Sequence, residues 1–130
     1  KVAAIYGDNP VCNFNSWPGG KSGKFSKGDW QRCLMAYGIK AEAGANHPQP
    51  LSPATLKPLA DRKVPYALVL GMADKVVPVA ENGAALAKNY EKLGGPVRIW
   101  RKPGKGHHPH GLHPPDELLA YLLKAVNVGK

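Results

Sequence analysis

Two short polar segments carry the side chains with the clearest chemical potential, and each follows an apolar, strand-like run. Asp74 comes after Val64–Leu70, and His107 comes after Pro96–Arg101, 33 residues further along the chain. The carboxyl ends of parallel strands share one edge of a sheet, where α/β proteins place their ligands. Because neighbouring strands lie about 4.8 Å apart, we expect the two side chains to meet. An aspartate beside an imidazole suits acid–base chemistry, since the carboxylate orients the ring that accepts and returns a proton.

Both residues also have an ordinary interpretation. Aspartate is common in turns because its side chain bonds to nearby backbone amides, and His107 can be a plain loop histidine. The two functional interpretations support each other, since the Gly104–Gly106 turn before His107 lets the loop approach the neighbouring strand.

The loop around His107 offers a competing interpretation, because it holds four histidines within seven residues. Imidazole is a common zinc ligand, so a metal site competes with acid–base chemistry here. The spacing does not fit a helical His-x-x-x-His pair, and no cysteine or carboxylate is interleaved before Asp116. We therefore expect no metal, and we interpret His108 and His110 as residues that shape the loop or line a pocket. The four histidines are His107, His108, His110 and His113.

The composition is that of a globular chain with a basic surface. Hydrophobic residues make up 43% of the 130 positions, and the formal net charge is +9. Such a charge favours nucleic-acid binding in principle. However, the lysines and arginines are spread along the chain, and the densest patch, Lys21–Lys27, lies in a Gly/Ser-rich loop. No apolar run reaches the roughly 18 residues of a membrane-spanning helix. We expect neither a nucleic-acid nor a membrane partner.

The hydrophobic pattern predicts one α/β domain over residues 1–130, with a three-stranded parallel sheet, flanking helices and a cap insertion. The predicted strands are Lys1–Tyr6, Val64–Leu70 and Val97–Arg101. The predicted helices are Ser26–Tyr37, Val79–Leu93 and Pro115–Val126, with one short helical turn at Ser52–Leu59.

The long connection between the first two strands is the predicted cap, at about residues 11–60, over the carboxyl end of the sheet. Long insertions of this kind are often functional. Cys12 follows the first strand, and Cys33 lies on the apolar face of the first helix. We expect both thiols to be buried and close, tying the cap to the sheet, and the sequence leaves open whether they form a disulfide.

Several motifs together resemble the carboxyl-terminal portion of bacterial α/β-hydrolases of the esterase and prolyl-oligopeptidase-like type. The resemblance covers nearly the whole chain, and it implies hydrolysis of a small-molecule ester without a cofactor. It implies Asp74 as the triad acid and His107 as the base, with Asn9, Trp17, His108 and His110 near the substrate. The sequence leaves the compartment unknown, and the periplasm and secretion are two options for a bacterial protein. The motifs are Asp8–Cys12, Ser16–Gly20, Gly71–Pro78, Glu81–Asn82 and Lys102–His110.

The nucleophile of such enzymes is missing from the sequence. No Gly-x-Ser-x-Gly motif occurs in the 130 residues, and neither Ser16 nor Ser22 lies on a strand-to-helix elbow. The chain also starts at Lys1 without a methionine, directly on a predicted strand. We expect a processed chain or a piece of a longer protein, which binds a second polypeptide carrying the missing half or self-associates through the Lys1–Tyr6 edge or its exposed apolar face. The alternatives are a non-catalytic remnant or binding module of the same fold, or a metal site in the histidine loop.

Overall fold

The structure is a computed structural model, and it describes residues 2–40 and 47–127. It is a mixed α/β arrangement with a three-stranded parallel sheet and flanking helices. The strands are β1 (Ile5–Asp8), β2 (Tyr66–Gly71) and β3 (Val97–Lys102), and the helices are α1 (Lys27–Ala36), α2 (Pro53–Asp61), α3 (Gly83–Lys92) and α4 (Asp116–Asn127).

The central strand is β2, which pairs in parallel with β1 on one side and with β3 on the other. In this register Gly7, Leu68 and Ile99 lie side by side. Residues 67–71 of β2 are all buried, as expected for a strand covered on both faces. All three strands therefore end at the same edge of the sheet.

Side-chain alternation along β2 divides the core into two layers. Leu68 and Leu70 face α2 and α3, where Tyr90 is fully buried and donates a 2.5 Å hydrogen bond to the carbonyl of Val64. Ala67 and Val69 face the opposite side and pack with Leu118 of α4.

The first strand differs from the prediction. Lys1 lies outside the described residues, and the strand starts only at Ile5. It is not a buried strand, since Tyr6 is 44% exposed and no residue of β1 is buried. The physical reason is its position, because β1 has a partner strand on one side only within the described residues.

The helices follow the predicted pattern with different boundaries. Ser26 precedes α1 at its N-cap, and Gly38, at φ 61°, follows its end, as predicted. The predicted Val79–Leu93 helix is divided into a 3₁₀ turn, Val79–Glu81, followed by α3. The predicted turn at Ser52–Leu59 is the nine-residue helix α2.

Two predicted apolar helix faces are not buried. No residue of α1 is buried, and on α4 only Leu118 is. Leu119, Leu123 and Val126 are exposed, although apolar residues at this helical spacing are typical of a buried face. Periodicity identifies the apolar face of a helix, but not whether another element covers it.

The two cysteines also differ from the prediction. Cys12 is buried in the core beside β2, whereas Cys33 is only partly buried, because α1 lies at the surface. Both are free thiols, so the candidate disulfide is not formed.

No helix in residues 2–40 and 47–127 has the length and apolarity to cross a bilayer.

Candidate active site

Asp74 is fixed by the turn that follows β2. Its side chain is fully buried, and Oδ1 accepts hydrogen bonds from the backbone amides of Val76 and Val77 at 2.8 and 2.9 Å. The amide of Asp74 itself donates to the carbonyl of Gly71 at 3.0 Å, which closes the turn. This arrangement is the ordinary turn role of an aspartate, but it uses only one of the two carboxylate oxygens.

The second oxygen of Asp74 contacts His107. Oδ2 lies 2.8 Å from Nδ1 of the imidazole, which is the contact that the two strand ends predict. A carboxylate only accepts hydrogen bonds, so Nδ1 of His107 donates the proton, and in the neutral ring Nε2 then carries the lone pair. The His107 side chain is 22% exposed, and the ring is therefore accessible beside a carboxylate that is not. The roles of the pair in catalysis stay a prediction.

Close backbone contacts bring the histidine loop to the end of β2. The amide of Ala73 donates to the carbonyl of Lys105 at 2.8 Å, and that of Met72 donates to Lys102 at 3.1 Å. A Cβ atom on Gly71 would clash with the carbonyl of Gly106. Glycine at position 71 therefore permits the approach of the loop that carries His107.

Asn9 ties the ends of β1 and β2 to the same loop. Its Oδ1 accepts a 2.6 Å hydrogen bond from the amide of Gly71, and its Nδ2 donates at 2.9 Å to the carbonyl of His107. Asn9 is buried and has a left-handed backbone, with φ at 43°. The sequence predicts Asn9 near the substrate, but its amide is used inside the protein, so we interpret it as a positioning residue.

The rings of His108 and His110 lie against the ring of His107. The sequence predicts these two histidines only as residues that shape the loop or line a pocket. The three ring centroids are 4.6 to 5.1 Å apart, and each pair of rings is nearly perpendicular. One nitrogen of each ring lies within 4.8 Å of those of the other two. Both His108 and His110 are exposed.

Asp8 is a site residue that the sequence interpretation missed. It ends β1, accepts a hydrogen bond from Tyr6 at 2.8 Å and one from the amide of Gly111, and its Oδ1 lies 3.4 Å from Nδ1 of His110. Burial acts to raise the pKa of Asp8, but these hydrogen bonds and Lys102 outweigh it and lower the pKa. The sequence contains a signal for this position, because Asp8 is an acid at the end of a strand, as Asp74 is.

Trp17 lies in a cleft beside α1, and its place near the substrate stays a prediction. This cleft, of about 380 Å³, is also lined by Phe14 and Tyr37, and no histidine lines it. A second cleft, of about 810 Å³, lies at the amino ends of β2 and β3, near Pro65 and Pro96. Because parallel sheets place their chemistry at the carboxyl ends, this second cleft is not the candidate site, and neither cleft is lined by Asp74 or His107.

None of the chain's four serine hydroxyls hydrogen-bonds to His107, and all four lie within the described residues. Ser16 is fully buried and accepts a 3.1 Å hydrogen bond from Asn82, while Ser22 donates to Glu81. The other two are Ser26, which donates to Asp29, and Ser52, which accepts from the amide of Gln49. The acid and base are therefore together without a serine nucleophile beside them.

Neither a scan against protein-family models nor a search of the curated proteins finds a match for this chain.

Proposed function

We propose that Asp74 and His107 are the acid and base of a serine-hydrolase triad, in a chain that forms the carboxyl-terminal half of an α/β-hydrolase. The reaction is the hydrolysis of a small-molecule carboxylic ester. The observation that carries the proposal is the 2.8 Å contact between Oδ2 of Asp74 and Nδ1 of His107 at the carboxyl edge of a parallel sheet. The chain order, acid before base, is that of α/β-hydrolases.

The geometry suits proton transfer at one defined atom. Asp74 holds the proton of His107 on Nδ1, so Nε2 accepts the proton of a serine hydroxyl as its oxygen attacks the ester carbonyl. The buried carboxylate stabilises the imidazolium that forms. The imidazolium then gives its proton to the leaving alcohol, and an acyl-serine remains. Water, activated by the same Nε2, hydrolyses that acyl-serine and restores the enzyme.

The nucleophile is proposed to come from outside these 130 residues. All four serine hydroxyls of the chain have other partners, and the sequence contains no Gly-x-Ser-x-Gly motif. The outer edge of β1 carries no strand among the described residues. A neighbouring strand that ends in a nucleophile elbow would add to this edge and reach the site at its carboxyl end.

The experiment compares p-nitrophenyl acetate hydrolysis by the product of the natural gene, with any chains that copurify, and by the 130-residue chain alone. We expect His107→Ala and Asp74→Asn to lower kcat/KM of the gene product by roughly 10⁴-fold. His113→Ala is the matched control, because His113 is an exposed loop histidine outside the Asp74–His107 pair. The chain alone should show no turnover that depends on His107.

Two results would overturn the proposal. A gene product whose hydrolysis survives His107→Ala excludes His107 as the base. Hydrolysis by the isolated chain that is lost in both His107→Ala and Ser16→Ala would place the nucleophile inside the chain.

A further inference from the structure

We propose that His107, His108 and His110 bind a divalent transition-metal ion, with zinc as the best fit, and that the ion occupies Nε2 of His107. The binding site rests on the geometry of the three imidazoles alone. Its consequence, that the ion and acid–base chemistry exclude each other, rests on the proposed function.

The three rings offer the donor set that zinc prefers. Zinc sites with three protein ligands commonly use imidazole nitrogens and keep a fourth position for water. Here one nitrogen of each ring lies within 4.8 Å of the others. The ring planes meet at 81° to 88°, so the rings do not stack and their edges can converge on one point.

Only a small movement would close the site. Nitrogens bound to a tetrahedral zinc ion at about 2.05 Å lie roughly 3.4 Å apart, so the present nitrogens need to approach by about 1.4 Å or less. His108 and His110 are exposed, and His110 has a looser carboxylate contact, 3.4 Å to Asp8, than the 2.8 Å contact by which Asp74 holds His107. The exposed rings of His108 and His110 can therefore reorient towards an ion bound to the ring that Asp74 holds in place.

Two carboxylates already lie behind the proposed ligands. Metal-bound histidines usually donate their second N–H to a carboxylate, which fixes the tautomer that leaves the other nitrogen for the metal. Asp74 contacts Nδ1 of His107 at 2.8 Å, and Asp8 lies 3.4 Å from Nδ1 of His110. Both rings therefore direct Nε2 away from their carboxylates. Among the described residues, the buried Oδ1 of Asp8 has no hydrogen-bond partner, so it is available to accept a hydrogen bond from Nδ1 of His110.

The ammonium group of Lys102, at the start of the histidine loop, is held by backbone carbonyls. Nζ of Lys102 donates to the carbonyls of Pro109 at 2.7 Å and Gly111 at 3.0 Å, so its ammonium group braces the histidine loop. The negative charges of Asp8 and Asp74 oppose its repulsion of an incoming ion. On binding, each neutral imidazole donates a nitrogen lone pair, and any imidazolium releases its proton to solvent.

The test is metal binding by the untagged 130-residue chain after treatment with a chelator. Titration with ZnCl₂ in a calorimeter should give one ion per chain. His108→Asn and His110→Asn should each weaken binding by roughly 100-fold or more, and Asp8→Asn by roughly 10- to 100-fold, as for an outer-shell partner. His113→Asn is the matched control from the same loop and should bind zinc like the wild type. Circular dichroism of each variant verifies its fold.

A second readout needs no hydrolysis. Diethyl pyrocarbonate modifies the accessible nitrogen of an imidazole, and mass spectrometry locates the modified residue. Saturating zinc should protect His107 from modification, and a chelator should restore it. Equal zinc affinity in the wild type, His108→Asn and His110→Asn would overturn the site. Unchanged modification of His107 with zinc bound would overturn the claim that the ion occupies its Nε2. Both results stand whether or not the protein hydrolyses esters.

Discussion

The two carboxylate oxygens of Asp74 have different partners, and this difference determines which nitrogen of His107 carries the proton. Oδ1 is used by the amides of Val76 and Val77, so only Oδ2 is available to His107. Because the carboxylate is fully buried, the choice of proton position on the imidazole is made by the protein rather than by water.

Asp74→Asn should therefore reverse the tautomer of His107. The asparagine oxygen would keep the two backbone hydrogen bonds, so its amide nitrogen would face Nδ1. That nitrogen only donates, which forces Nδ1 to accept and moves the ring proton to Nε2. Long-range ¹H–¹⁵N spectra at neutral pH should show the proton on Nδ1 in the wild type and on Nε2 in the variant. The ring of His47 is the internal control, and an unchanged His107 tautomer would contradict the assignment.

The two cysteines should react at different rates in the folded chain. Burial raises the pKa of the Cys12 thiol to about 12, whereas Cys33 is partly exposed and burial raises its pKa less. Since the thiolate is the reactive form, iodoacetamide at pH 8 should label Cys33 first and Cys12 only after unfolding. Equal labelling rates would contradict the packing, and no labelling even in denaturant would reveal a disulfide.

The same thiol makes stability depend on pH at the alkaline side. The unfolded Cys12 thiol ionises near its ordinary value of 9.0, while the folded thiol stays protonated up to about 12. The unfolded state thus binds fewer protons between these values, and stability falls as pH rises from 9. Cys12→Ala should flatten this alkaline slope in urea unfolding series.

At the scale of elements, the site exists because three strand ends and one loop are joined by a few polar contacts. The side chain of Asn9 links the ends of β1 and β2 to the loop that carries His107 by hydrogen bonds. Its left-handed backbone, with φ at 43°, is what aims the side chain at both partners.

Substitution of Asn9 should separate the contribution of its side-chain hydrogen bonds to stability from that of its left-handed backbone conformation. Asn9→Gly removes the side chain but suits the backbone, so we expect a loss of about 1–3 kcal/mol from the unpaired buried amide of Gly71. Asn9→Ala should cost about 1–2 kcal/mol more, because alanine disfavours the left-handed conformation. Urea denaturation measures both, and Asn89→Ala, which removes a hydrogen bond to the carbonyl of Leu51, is a control for loss of an asparagine contact elsewhere. Equal stability of the two Asn9 variants would contradict the backbone argument.

The elements that the sequence predicts well are those whose pattern is local. β2 is a continuous apolar run, β3 is a short run bounded by Pro96 and Pro103, and α1 has its N-cap serine and C-terminal glycine, so each is located within a few residues. The contact between Asp74 and His107 also follows from chain order and strand spacing. The other features depend on tertiary neighbours. The role of Asn9 and the position of Asp8 beside His110 need contacts about 100 residues apart. The exposure of β1 depends on which strands pair with it.

At the scale of the whole molecule, two apolar surfaces lie uncovered among the described residues. One is the outer face of α4, where Leu119, Leu123 and Val126 are exposed, and the other is the edge of β1 with Val2. The 810 Å³ cleft lies between them and is lined in part by Tyr121. Unpaired strand edges and exposed apolar faces are the usual places where chains associate.

We expect the isolated chain to self-associate through the α4 face at micromolar concentration. Leu123 is 60% exposed, and Leu123→Lys should shift the sedimentation coefficient towards that of a monomer without loss of folding, because its side chain contributes little to the core. Met35→Lys is the matched control, since Met35 is 82% exposed on α1. A wild type that sediments as a monomer at all concentrations would contradict this expectation, as would an equal shift in both variants.

The central claim is that His107 activates a serine that lies outside these 130 residues. Its most direct test is labelling of the natural gene product, with any chains that copurify, by a fluorophosphonate, followed by mapping of the modified peptide. We predict one labelled serine, outside the 130 residues, whose labelling is lost in His107→Ala and retained in His113→Ala. A label on Ser16 or Ser22, or labelling that persists without His107, would contradict the account.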